Sequence, residues 1–169
     1  MKKLFAAVLT GLTLALCAHA DTFTDNNPAD VYLNAFNKSY TGTWDLTGYG
    51  YVPGSMQVDS AVATFQFFDL LGSESFTVTW NGNSFSNGSF FGIITLGTGL
   101  SATAIGDLSV DGILSYTVTR NSGEFWLTNA RLTAQTSTVP DGSSTAMLIG
   151  VALIAMMIVS RRELRAVRN

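Results

Sequence analysis

The sequence predicts an all-β domain: an antiparallel β-sandwich of jelly-roll or Ig-like kind, with roughly seven or eight strands. A signal helix flanks it at the N-terminus and a transmembrane helix at the C-terminus. Three observations carry this. Apolar and polar residues alternate with period two in several short runs. Gly, Asn, Asp and Ser cluster between the runs, where turns belong. The ends are apolar, whereas the region between them is rich in Thr, Ser, Gly, Asn and Phe. That composition favours strands and turns over helices. A barrel is the alternative closure of the same strands.

Residues 1–20 read as a secretory signal peptide. Lys2 and Lys3 form the charged start, residues 4–17 the apolar region, and Ala18-His19-Ala20 an A-x-A cleavage site that leaves Asp21 first. The rival reading is a lipoprotein signal ending at Cys17, which puts the bulky Leu16 where a small residue is expected. Cleavage after Ala20 removes the single cysteine, Cys17, and the single histidine, His19. A mature chain without thiol or imidazole has no disulfide, no Ser-His-Asp or Cys-His catalysis and no His-based zinc site.

Residues 21–138 form the β-domain. Residues 21–30 are polar and read as a lead-in or an edge strand. Strands follow over 31–36 and 40–46. In the strand 60–69, Ala61, Ala63, Phe65 and Phe67 share one face, and Val62, Thr64, Gln66 and Phe68 the other. In 75–80, Phe76, Val78 and Trp80 point inward. Trp80-Asn81-Gly82-Asn83 carries the Asn-Gly pair of a two-residue hairpin turn. Later strands cover 90–96, 112–120 and 125–134, with Asp111-Gly112 and Asn121-Ser122-Gly123 as turns.

This domain has three bases, Lys38, Arg120 and Arg131, against ten acids, a net charge of −7. Phosphate backbones repel such a surface, so nucleic acid is excluded as a partner. No cofactor is expected. Paired carboxylates leave a route to glycoside hydrolysis, but no spacing motif marks one, and the protein is expected to be non-catalytic. Asp107 and Asp111 flank one turn, Asp69 and Glu74 another, and the first pair are the calcium candidates; solvated turn acids are the plainer reading, since no EF-hand pattern is present. Trp44, Tyr49, Tyr51, Trp80 and Trp126 are candidates for stacking on sugars. Tyr49 and Tyr51 lie in the loop 49–54 and are the preferred glycan contacts. Trp44 and Trp80 alternate with apolar neighbours and read as core.

Residues 139–169 have three parts. The first is Val139-Pro140-Asp141-Gly142-Ser143, continued by Ser144-Thr145. The second, 144–160, is uncharged and makes roughly 25 Å of helix, just enough for a thinned bilayer. The third is the cluster Arg161, Arg162, Arg165 and Arg168, which the positive-inside rule keeps in the cytoplasm. A buried core helix is the rival, and the lack of an amphipathic pattern speaks against it. Pro140 holds the motif extended.

This layout resembles the PEP-CTERM family of bacterial C-terminal sorting domains, nearest to the variant that begins Val-Pro-Asp, the VPDSG-CTERM type. Gly142-Ser143 reverses that variant's last two positions. The resemblance implies a partner exosortase acting within 139–144, after passage through the Sec translocon and signal peptidase. It implies transient anchoring in the inner membrane of a Gram-negative cell, then the cell surface or an exopolysaccharide and biofilm matrix. More loosely, Ser39-Tyr40-Thr41-Gly42-Thr43-Trp44-Asp45-Leu46 and the strand ending at Asp69 are similar to β-sandwich domains that precede such tails. The expected function is therefore an exported, non-catalytic surface or matrix protein. The alternatives are a polysaccharide-binding module delivered by the same route and an unprocessed single-span inner-membrane protein facing the periplasm.

Overall fold

A computed structural model describes residues 20–81, 83–139, 149–154 and 156. Ala20–Thr138 forms one compact unit, and the described residues beyond Thr138 belong to a second. The first unit contains β1 (Ala20–Asn27), β2 (Val31–Leu33), β3 (Ser39–Asp45), β4 (Met56–Trp80), β5 (Asn83–Gly99), the helix α1 (Ala102–Asp111), β6 (Ile113–Ser122) and β7 (Phe125–Thr138). Every ladder between these strands is antiparallel.

The long strand β4 organises the sheet. Its first part, Met56 to Phe68, pairs with β7, and its last part, Ser75 to Thr79, pairs with β6. β5 runs beside both parts. The order β1-β7-β4-β6-β3 is therefore one sheet that bends over on itself. The bend lies between Asp69 and Glu74, where the register shifts and Gly72 takes φ +121°. Only glycine enters that region without steric cost, and an unpaired bulge residue adds local twist.

The two halves then face each other across an aromatic core. Trp44 of β3 lies 5.6 Å from the Phe65 ring of β4 and 4.2 Å from the Tyr116 ring of β6. Its indole N–H donates to the Ala130 carbonyl of β7 at 3.2 Å, so the buried donor is satisfied. On the other side of the core, Phe67 and Phe76 close to 3.9 Å, with Phe90 and Phe125 packed edge-on around them. The alternation read in 60–69 and 75–80 holds: Ala61, Ala63, Phe65, Phe67, Phe76, Val78 and Trp80 are all buried. Trp44 and Trp80 are core residues, as expected.

Several boundaries differ from the sequence reading. The stretches 60–69 and 75–80 are one strand, because both sides of the bend keep β5 as their neighbour and the chain never reverses. The predicted two-residue hairpin joins Trp80 to Asn83. Residues 21–30 supply the edge strand β1. The strand at 31–36 stops at Leu33, since the Asn34 side chain accepts the backbone N–H groups of Phe36 and Asn37, both at 2.8 Å, and turns the chain. The turn expected around Asp107 and Asp111 is the helix α1. Ser101 caps it by accepting the Ala104 N–H at 3.3 Å, and Gly112, at φ +78°, ends it. Ala104 and Leu108, four residues apart, bury its inner face.

The far edges of the sheet meet. Asp25 of β1 accepts the backbone N–H of Asp45 in β3 at 2.7 Å, and Asn27 donates to the Thr43 carbonyl at 3.4 Å. One nearly closed sheet thus stands where two separate ones were expected. In the second unit, Val139 has no regular structure, and residues 149–154 and 156 are helical. There Ile149, Val151, Leu153, Ile154 and Met156 are exposed. Among the described residues no helix is long and apolar enough to cross a membrane.

Candidate functional site

The outer face of the sheet carries one row of large apolar side chains. Tyr32 of β2 pairs with Trp126 of β7, Trp126 with Phe68 of β4, and Phe68 with Ile93 of β5. Directly paired residues share a face, and their neighbours Leu33, Phe67, Phe125 and Leu127 all point into the core. The row therefore faces outward across four strands, about 14 Å at the usual strand spacing. Tyr32 and Trp126 are 36% and 38% exposed, and their rings lie 5.1 Å apart at 34°. Ile93 and Phe91 continue the apolar surface at 68% and 69% exposure.

Polar groups border the row. The Tyr32 hydroxyl donates to Glu124 at 2.6 Å, which fixes the ring and holds the phenol above its ordinary pKa. The Asn37 amide donates to the Tyr32 carbonyl at 3.0 Å. Thr128 donates to the Gln66 carbonyl at 3.0 Å, and Asn129 donates to Asn26 at 2.8 Å, leaving the buried Asn129 Oδ1 without a partner. The arrangement is a tilted, partly exposed aromatic pair beside carboxylate, amide and hydroxyl groups. Such a surface can stack on the C–H face of a sugar ring while neighbouring groups take its hydroxyls.

The residues chosen from sequence distribute differently. Tyr49 is 53% exposed and sits against Asp25, whose charge raises its pKa. Tyr51 is only 2% exposed; its hydroxyl donates to the carbonyls of Met56 and Ser109 at 3.0 and 2.8 Å. It ties the loop to α1 and β4, and its ring is closed to a ligand, which corrects its choice as a glycan contact. Trp126 belongs to the row. Tyr32, Phe68, Phe91 and Ile93 were not chosen. Phe68 had left a signal, an aromatic ring in the polar phase of the alternation.

Asp107 and Asp111 both lie on α1. Asp107 accepts from the Asn81 amide, and Asp111 accepts the Ile113 N–H at 2.8 Å. Among the described residues no three acidic, histidine or cysteine side chains gather as a metal site. Asp69 and Glu74 come together at the β4 bend but are buried, at 6% and 2% exposure. Burial and the hydrogen bond with Asp69 push the Glu74 carboxyl up. Cleavage after Ala20 would leave Asp21–Asn27 of β1 in place; Ala18 lies outside the described residues. So do Pro140, Asp141, Gly142 and Ser143 of the sorting motif, most of the span 144–160, and Arg161, Arg162, Arg165 and Arg168.

No protein-family model matches the chain, and no curated protein gives a significant match. Several solved structures align with part of the chain. Dimeric latent PorU from Porphyromonas gingivalis aligns at 13% identity and TM-score 0.44 over 71% of this chain and 13% of its own. A family two carbohydrate esterase from Cellvibrio japonicus aligns at 15% identity and TM-score 0.37 over 72% of this chain and 36% of its own. A family 35 carbohydrate binding module from Clostridium thermocellum aligns at 13% identity and TM-score 0.35 over 67% of this chain and 90% of its own.

Proposed function

We propose that this is an exported, non-catalytic glycan-binding protein of the cell surface or extracellular matrix. In this reading its C-terminal segment, 139–169, anchors it transiently in the inner membrane for processing by an exosortase. The exposed Tyr32–Trp126 pair on the outer face of the sheet carries the binding part of this reading. Large rings placed outward, when the core had room for their alternating neighbours, cost exposed apolar area that a stacking ligand would cover. The Glu124 carboxylate and the amides beside the pair suit a neutral, hydroxyl-rich polymer. Asp69 and Glu74, the carboxylates that meet at the β4 bend, are buried and lie out of reach of a glycosidic bond.

The test is retention of the purified protein on a panel of immobilised neutral polysaccharides. The wild-type chain should be retained on at least one. Trp126→Ala should weaken that retention about tenfold or more, with an unchanged circular dichroism spectrum, and Tyr49→Ala should leave it intact. Equal retention of the wild type and Trp126→Ala would sink the proposed site.

A further inference from the structure

We infer that the free edge of β5 is where a second copy of this chain docks, strand against strand, antiparallel and centred near Leu96. The argument starts from the edges. β1 and β3 are bound to each other through Asp25 and Asn27. β2 has three residues. β5 pairs with β4 alone and is 17 residues long, which makes it the one long open edge among the described residues.

Proteins guard such edges with charge, proline or brevity. β5 has none of these. Its sequence, NSFSNGSFFGIITLGTG, contains no ionisable residue and no proline. Its pairing with β4 is irregular between Asn87 and Gly92, where the register shifts twice and Gly92 takes φ +80°, whereas Ile93 to Gly99 is regular and paired residue by residue with β4. Apolar side chains lie on both of its faces. Phe91 and Ile93 are exposed outside, while Ile94 and Leu96 are only partly buried inside. The core is thus unsealed along this edge, where Trp44 and Phe65 deeper in are fully covered.

Charge selects the occupant. The domain carries three bases against ten acids, so two copies repel each other over most approaches. Along β5 there is nothing to repel. Antiparallel self-pairing about a two-fold axis gives each strand the complement of its own open N–H and C=O groups, and the contact closes on itself as a dimer. With the axis at Leu96, Ile93 faces Gly99 of the second copy, Thr95 faces Gly97, and the two Leu96 side chains meet and complete their burial.

The test is light scattering on the full-length chain in mild detergent, resolving protein mass from detergent mass over a range of concentrations. The wild type should form a dimer, and amide exchange over residues 93–99 should slow as the dimer fills. Thr95→Lys, at an exposed position whose copy lies diagonally across the axis, should raise the dissociation constant about a hundredfold or more by opposing like charges, while melting as the wild-type monomer does. A lysine at Thr41 on β3 should leave the dimer unchanged. A wild-type chain that stays monomeric throughout, or a dimer indifferent to Thr95→Lys, would overturn the inference.

Discussion

Glu74 sits where the sheet folds over, and its burial has a sign that can be measured. Two carboxyls hydrogen-bond to each other only when they share a proton, and burial raises the Glu74 pKa further. A carboxyl raised in the folded state contributes stability that is full below its unfolded pKa and lost as pH rises through the folded value. The melting temperature should therefore fall as pH climbs from mild acid toward neutral. Glu74→Gln should melt higher than wild type near neutral pH and flatten that slope, since an amide can still accept the Glu124 backbone N–H. Parallel melting curves for the two proteins across this range would contradict the assignment. Gly42 makes a second case. It pairs with Tyr116, and a Cβ there would lie 2.9 Å from Cε1 of the Tyr116 ring. Gly42→Ala should cost about 1–3 kcal/mol through overpacking and lower the melting temperature accordingly. Neither site could be read from sequence. Gly42 looked like any glycine in a strand, and Asp69 and Glu74 looked like turn acids, because only tertiary packing shows that a ring crosses one and a core covers the others.

At the scale of elements, strands announced themselves where alternation was strict, as in Leu114, Tyr116 and Val118 of β6. The helix α1 was missed although its signals were present: Ser101 before it and Gly112 after it. Asp111-Gly112 was assigned to a turn between strands, yet the same dipeptide ends a helix equally well. The cap makes a direct test. Ser101→Ala should cost about 1 kcal/mol and speed amide exchange at Ala104 without touching the sheet. An unchanged exchange rate would mean that packing of Leu108 alone holds the helix. The aromatic row shows the other limit of sequence reading. Trp126, Phe68 and Tyr32 lie far apart in the chain, and they meet through the register of β7 with β2 and β4, which no local pattern encodes.

For the whole molecule, β4 belongs to both halves of the sheet, so neither half can come apart alone. Unfolding followed by tryptophan fluorescence and by far-UV circular dichroism should give one coincident transition; two separated transitions would show that the bend uncouples the halves. The composition and alternation made the all-β class legible, whereas the single bent sheet was not, because a strand crossing a bend reads as two. The fate of the chain is tested apart from its fold. Expressed in a host with an exosortase, it should yield a product that begins at Asp21, ends within residues 139–144 and lies outside the cell. An intact mass that still includes Asn169, in the inner membrane, would refute the sorting reading.

The course of β7 also decides how the domain bears a pull. Trp126 stands at the start of this 14-residue strand and Thr138 at its end, beyond which the chain passes into the C-terminal segment. A polymer gripped at Trp126 and tugging against an attachment past Thr138 would stretch β7 along its own axis. Its ladders to β1 and β2 on one flank and to β4 on the other lie crosswise to that tension. They would be loaded in shear and all at once, with no single hydrogen bond left to yield first.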